Sequence, residues 1–400
     1  MKTIYLDHIA ATPLLPEARE AMLPYLTGIF GNPQSRHGQG KIPREAVEHA
    51  REAVATLIRC EAQEIIFTAS GSEANNLAIK GVLAAGQKKG RHIITSLIEH
   101  FSVAHPLKHL EREGLEITWI PVDKTGRIRP EDVAAAIREE TLLVSIMHAN
   151  NEIGTIQEIQ EIAHITQEAG VLFHTDAVAT IGVIPFDVDE LGPDLAGFSS
   201  QQFYGPKGVG ALYVRRGTRL SPLVEGGIQE GGRRAGTENV AGIVGMGVAA
   251  REVKTKIPSE ATRLLSLRDR LIDGLLSRVP LLHVTGDRLN RLPNIASFAV
   301  EYVDGEALVR VLEKKGIIAA SGSSCSADAL KISPVLTAIG YPGNVAQGGI
   351  LFSLGTQTSD DDIHAVLSVF PKCVEEMRRV SPIYTIKIEK MALWEPLNKS

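Results

Sequence analysis

Residues Ile65-Ile66-Phe67-Thr68-Ala69-Ser70-Gly71-Ser72-Glu73 pass from three apolar side chains through a run of small residues into the polar start of a helical pattern. This reads as a buried strand that ends in a tight loop and opens a helix over about 73–85. Free backbone N–H groups and the helix dipole make such a loop a cradle for an anion, with the Ser72 hydroxyl as an added donor. Small residues at a helix start also serve simply as caps, so the segment alone leaves both roles open. The same alternation extends outward. Val47, Ala50, Val54, Leu57 and Ile58 recur at helical spacing, and apolar strands are predicted near 93–95, 117–120, 142–147, 171–173, 195–198 and 209–214. Fully apolar strands between amphipathic helices specify an α/β fold with a mostly parallel central sheet covered on both faces. Ligands of such sheets bind beyond the carboxyl ends of the strands. The polar segments 68–76, His100, 148–154 and 174–176 fall at those ends.

The chain has 400 residues, 44% hydrophobic and 22% charged, with a net charge near −5. That is enough to bury a large core in two domains. The absence of a basic excess argues against a nucleic-acid partner, and no apolar run approaches the roughly 20 residues of a membrane span. Cys60, Cys325 and Cys373 are odd in number and far apart. Together with an N-terminus that reads as a strand and loop without a leader, they point to a reduced, cytoplasmic protein without a disulfide framework. Beyond the glycine-rich stretch 226–236 the pattern becomes a long helical region over about 238–278. Short strands near 283–285, 296–300 and 317–320 and a helix over 306–314 then suggest a smaller α+β unit.

Asp176 closes the apolar strand in Phe173-His174-Thr175-Asp176-Ala177, where a carboxylate either caps backbone amides or pairs with a protonated ring nitrogen. His100 is either a ring-stacking residue or a satisfied structural histidine. Asn150 and Asn151 either contact a ligand oxygen or make a turn. Residues 321–326 form a small, polar loop presenting one thiol, Cys325, as a sulfur carrier requires; an inert thiol is the alternative. Cys60 and Cys373 sit in helical patterns and read as packing residues.

Taken in order, the chain carries Tyr5-Leu6-Asp7, Phe30-Gly31-Asn32-Pro33, Gly71-Ser72-Glu73-Ala74-Asn75-Asn76, Glu99-His100 and His148-Ala149-Asn150-Asn151-Glu152-Ile153-Gly154-Thr155. His174-Thr175-Asp176-Ala177, Tyr204-Gly205-Pro206-Lys207-Gly208, Arg234-Ala235-Gly236-Thr237-Glu238-Asn239 and Ser321-Gly322-Ser323-Ser324-Cys325 follow. With this ordered set the chain resembles the cysteine desulfurase family (NifS/IscS-like) of the class V aminotransferase superfamily. The resemblance implies the pyridoxal-phosphate (PLP)-dependent transferase fold of type I and a homodimer. It implies a large domain over 13–255, a small α+β domain from 1–12 and 256–385, and a tail over 386–400. Gly71, Ser72 and Ser199 match phosphate contacts, and Thr237 matches one that reaches across the dimer. His100 matches the ring-stacking residue, Asp176 the partner of the pyridinium nitrogen and Asn151 a further cofactor contact. Cys325 matches the persulfide-forming thiol.

Four departures fall on the chemistry. The family carries Ser-x-His-Lys where this chain has Ser199-Ser200-Gln201-Gln202. An amide nitrogen is not nucleophilic, so Gln202 forms no Schiff base, and no covalent PLP is expected. Gln201 replaces a histidine, Ala179 a glutamine that contacts the PLP phenolic oxygen, and Leu351 the arginine that clamps the substrate carboxylate. Lys207 matches the family's second lysine, five residues beyond Gln202. Losing a catalytic base typically costs about 10²–10⁴-fold, before counting the lost carboxylate clamp. The pattern therefore points to a pseudoenzyme with respect to PLP chemistry. It points to PLP-independent sulfur transfer or iron–sulfur cluster assembly through Cys325, as persulfide carrier or as one ligand of a cluster shared with a scaffold or sulfur-acceptor protein. Noncovalent binding of PLP or another phosphorylated ligand, a non-catalytic structural role, and residual desulfurase activity through another amine stay open beside it.

Overall fold

A computed structural model describes residues 3–86, 90–322, 332–381 and 384. Its strands are β1 (Ile4–Tyr5), β2 (Ile65–Thr68), β3 (His92–Ser96), β4 (Glu116–Ile120), β5 (Thr141–Ser145) and β6 (Leu172–Asp176), followed by β7 (Leu195–Ser199), β8 (Gly210–Val214), β9 (Leu282–Val284), β10 (Ile295–Val300), β11 (Ile317–Ile318) and β12 (Gly349–Ser353). The helices are α1 (Pro16–Leu26), α2 (Gly38–Ile58), α3 (Gly71–Gly86), α4 (Phe101–Arg112), α5 (Pro130–Ala136) and α6 (Ile159–Glu168), then α7 (Val188–Leu191), α8 (Val240–Leu276), α9 (Gly305–Lys314), α10 (Pro334–Ala338), α11 (Gly343–Ala346) and α12 (Asp360–Arg379). Among the described residues no helix is long and apolar enough to cross a membrane.

Seven strands form the central sheet in the order β2-β8-β7-β6-β5-β3-β4. The pairs from β7 through β4 are parallel, and only β8 runs against its neighbours. Every residue of β2, β3, β5, β7 and β8 is buried, which is why these strands read as continuous apolar runs without alternation. The expected α/β fold with a mostly parallel sheet is the observed one.

Helix α8 joins two cores. Ile243, Met246, Ala249, Ala250, Val253 and Ile257 pack with Phe67, Phe198 and Phe203 against the central sheet. From Leu264 onward the same helix packs with Phe298, Phe352 and Phe370 on the three-stranded sheet β12-β10-β9. Gly247 is required where α8 crosses α2, because a Cβ there would lie 2.6 Å from the Ala50 Cα.

The N-terminal segment ties the two sheets together. β1 pairs in parallel with β11, and Leu6 and His8 exchange backbone hydrogen bonds with Ser353 of β12. The chain then crosses to the short helical turn after β7. There Thr12 donates from both its backbone N–H and its hydroxyl to the Gln201 carbonyl, at 3.1 and 2.7 Å. This bridge joins residues almost two hundred positions apart, and periodicity gives no hint of it. The apolar run 142–147 is strand only to Ser145, because the Met147 N–H turns aside to the Glu99 carboxyl group at 3.0 Å.

Candidate functional site

The segments that follow β2, β3, β5, β6 and β7 line a cavity of about 350 Å³. It brings together Gly71, Ser72, His100, Asn151, Asp176 and Ser199, residues drawn from five separate stretches of sequence.

At one end α3 opens at Gly71, presenting its first N–H groups beside the exposed Ser72 and the buried Ser199. A Cβ at Gly71 would sit 2.6 Å from Val178 Cγ2, so the helix start approaches the β6 loop as closely as only glycine permits. Asp176 ends β6 and is nearly fully buried. One of its oxygens accepts from the Val178 N–H at 3.0 Å, the other from Asn75 Nδ2 at 2.8 Å. Burial raises its proton affinity above the usual carboxylate range, opposed by His100 and by these two donors. Such a group has the character needed to receive a ring N–H. His100 caps α4: its Nδ1 accepts the Ser102 N–H at 3.1 Å, which leaves the proton of a neutral ring on Nε2.

The two asparagines divide their roles. Asn150 is fully buried and makes the turn, accepting from the N–H groups of Glu152 and Ile153, both at 2.9 Å, and donating to the Ile98 carbonyl at 2.9 Å. Asn151 faces the cavity. His148 and His174 are buried beside the sheet, bonded to Thr180 and Ser145, and desolvation pushes them down to about 4 and about 3. They are neutral structural groups.

Where the family has its lysine, Gln202 is buried and its Nε2 donates to the Ile9 carbonyl at 2.6 Å. The Gln201 amide donates to the Ala10 carbonyl at 3.2 Å. Both amides thus brace the crossing N-terminal segment. Ala179 and Leu351, the other two departures, belong to one apolar cluster with Ala149, Leu292 and Ile295. Where the resemblance leads one to expect a glutamine and an arginine, the wall is aliphatic. Lys207 is exposed and does not line the cavity.

Two acidic residues in the quoted motifs went without a role in the sequence. Asp7 and Glu152 both line the cavity; among the described residues the buried Asp7 Oδ1 and Glu152 Oε1 have no hydrogen-bond partner, while the Ser333 side chain bonds the Glu152 carboxyl group. Burial pushes Asp7 up to about 6 and Glu152 up to about 7. Behind the cavity, Glu99 is buried, accepts from Ser96 Oγ at 2.6 Å and the Met147 N–H, and is pushed up to about 8.

Thr237 is exposed and lies outside this cavity of the single chain. Cys325 lies outside the described residues; Ser321 and Gly322, just before it, line the cavity. Cys60 packs against the large core with its thiol pushed up to about 12, and Cys373 is buried in α12, so both are packing residues.

The aminotransferase class-V family matches residues 4–366. A cysteine desulfurase IscS of Dictyoglomus turgidum is 49% identical over 95% of this chain and 97% of its own. One of Methanosarcina thermophila is 47% identical over 96% and 94%, respectively. Among solved structures, a NifS-like protein superimposes with a TM-score of 0.88 at 35% identity, covering 93% of this chain and 99% of that one.

Proposed function

We propose that this chain, which belongs to the aminotransferase class-V family and to its cysteine desulfurase-like members, handles sulfur through Cys325 without forming a Schiff base. The observation that carries the proposal is Gln202. Its amide stands in the lysine place, is not nucleophilic, and is already bonded to the Ile9 carbonyl. With Leu351 in the place of the carboxylate clamp, free cysteine finds neither the covalent anchor nor the charge partner that desulfuration uses.

In this proposal the protein is a cytoplasmic homodimer working with an iron–sulfur scaffold or another sulfur acceptor. The Cys325 thiolate attacks the outer sulfur of a donor persulfide. A new S–S bond forms as the donor's S–S bond breaks, and the donor leaves as a thiolate. A second exchange of the same kind passes the sulfur to the acceptor. Cys325 as one ligand of a cluster shared with the scaffold is the closely related form of this proposal.

The test loads the full-length protein anaerobically with inorganic polysulfide. Mass spectrometry then follows one added sulfur atom on the Cys325 peptide, and next on a scaffold protein. Cys325→Ser is expected to abolish both. Transfer that survives in that variant, or sulfide release from cysteine plus PLP with a borohydride-trapped PLP–lysine adduct, refutes the proposal.

A second reading, noncovalent binding of the PLP-type cofactor, is favoured by the retained cavity. Asp176 supports it most directly: its buried carboxylate has raised proton affinity, as suits a pyridinium partner. Gly71, Ser72 and Ser199 would hold the phosphate and His100 would cover the ring, whereas Ala179 and Leu351 offer the phenolic oxygen and a substrate carboxylate nothing. When bound, the cofactor supplies an electron sink; this chain's residues would orient it and hold the proton at Asp176.

A further inference from the structure

Glu152 sits on a rigid turn: its own N–H donates to Asn150 Oδ1 at 2.9 Å, and Asn150 is fully buried. Its carboxyl group meets two pieces of chain that are far from this turn in sequence. Ser333, 2% exposed, bonds the carboxyl group with its hydroxyl, and the same hydroxyl oxygen accepts the Leu336 N–H at 3.0 Å as the N-cap of α10. Gly322 lies against the Oε1 oxygen. A Cβ built on Gly322 would be 2.2 Å from Glu152 Oε1 and 3.3 Å from the Ser333 Cβ, so a larger residue would push the carboxyl group aside.

Both contacts continue into fixed structure. Ala320 exchanges two backbone hydrogen bonds with Leu351 of β12, at 3.0 and 2.8 Å. Beyond Ser333, Val335 and Leu336 pack with Ile98, Met147 and Ile153. Cys325, outside the described residues, stands three positions after Gly322 and eight before Ser333.

We infer that Glu152 is the positioning residue of Cys325: its carboxyl group joins the two ends of the segment that carries the thiol and so fixes the base of that segment at the cavity. The inference rests on the reading of Cys325 as the sulfur-carrying thiol.

Chain geometry sets the reach. Three residues span at most about 11 Å, and Gly322 itself lines the cavity. A base fixed there keeps the Cys325 backbone within that distance of the cavity wall. A segment whose two ends are held side by side has already lost the freedom that would carry its thiol elsewhere, which raises the effective concentration of the thiol in one place. The group required at the junction is an acceptor. Burial pushes Glu152 up to about 7, and a carboxyl group can accept the Ser333 O–H whether it is ionised or protonated. An aliphatic side chain would fill the same space but leave that buried hydroxyl proton unpaired.

The experiment measures the position of the thiol. Ala179 lines the same cavity, and Ala179→Cys in the full-length protein places a second thiol there. Oxidised glutathione drives thiol–disulfide exchange, and mass spectrometry follows the disulfide between Cys325 and the introduced thiol. Adding Glu152→Ala is expected to slow its formation by about fivefold or more, the equilibrium effect of one lost hydrogen bond. Gly322→Ala, which leaves Glu152 in place, is expected to slow it as well. Glu152→Gln keeps the acceptor oxygen and is expected to restore most of the rate. Iodoacetamide is expected to leave Cys60 and Cys373 unmodified throughout, because both are packed in the cores and only a general loosening of the fold would expose them. Absence of the disulfide in the Ala179→Cys protein overturns the inference, because the thiol is then not held at the cavity. A rate that Glu152→Ala leaves unchanged overturns it too, as does a Glu152→Gln protein as slow as Glu152→Ala, or modification of Cys373 in the slowed variants. If Cys325 takes up no sulfur from inorganic polysulfide, the sulfur-handling reading falls, and the trapping rates alone judge the position of the thiol.

Discussion

Replacing Glu99 with glutamine is expected to remove a large part of the loss of stability that this protein suffers on going from mildly acidic to mildly basic solution. Glu99 is buried, accepts from Ser96 and Met147 with one oxygen, and among the described residues leaves the other without a partner. Its proton affinity in the folded state is pushed from the ordinary 4.5 up to about 8, mainly by desolvation. A carboxyl group raised in this way stabilises the fold fully below its unfolded pKa, where both states are protonated. Above that point the unfolded chain ionises and the folded chain does not, so stability falls until pH passes the folded value. Between about pH 5 and about pH 8 the one group contributes a loss on the order of 3 kcal/mol, at 1.36 kcal/mol per unit. His148 and His174, pushed down to about 4 and about 3, act with the opposite sign: they cost stability as pH falls below the unfolded histidine pKa. Their effect is common to both proteins and cancels in the comparison. Glutamine keeps the acceptor oxygen that Ser96 and Met147 use and does not titrate. Chemical denaturation of the wild type and Glu99→Gln at the two pH values, at one protein concentration, gives the double difference. Equal pH dependence in the two proteins would refute the argument.

Two further outcomes follow from packing and charge. Arg51 donates to both oxygens of Glu230, at 2.7 and 2.9 Å, and to the Ile65 carbonyl at 2.8 Å, with the Glu230 side chain only 3% exposed. Glu230→Gln leaves the buried guanidinium with only Glu48, at 3.3 Å and on the exposed side, as counter-charge and loosens the glycine-rich segment from β2; a loss of about 2–3 kcal/mol is expected by denaturation, and less than about 1 kcal/mol would show that the pair matters little. At Gly71→Ala the new Cβ meets Val178 Cγ2 at 2.6 Å. Calorimetry with pyridoxal 5′-phosphate should show at least a tenfold weaker affinity as the α3 start moves off its partner loop, an effect on the order of 1.4 kcal/mol; unchanged affinity would remove the α3 start from the phosphate site.

Much of the scaffold was readable without coordinates. Apolar runs such as Ile65–Phe67 and the strands on either side of Asp176 announce themselves because both faces of a parallel sheet are covered, so their residues are buried and mostly apolar. The small residues 69–72 mark a helix start for the same local reason. Local chemistry also shows that Gln202 cannot be a nucleophile, wherever it lies. The sequence alone therefore determined the α/β architecture and the family, and it puts an amide, Gln202, where the resemblance expects an amine. Only the tertiary structure decided what Gln202 bonds to. The bond from Gln202 to Ile9 spans 193 positions, and Ala179 and Leu351 meet in one apolar cluster although 172 positions apart. Asp7 and Glu152 come to line the same cavity although 145 positions apart. Periodicity reports which face of an element is buried; it carries no information about which distant element covers that face. The joint lining of the cavity by Asp7, Glu152, Asp176 and Gln202 exists only once those segments have been brought together.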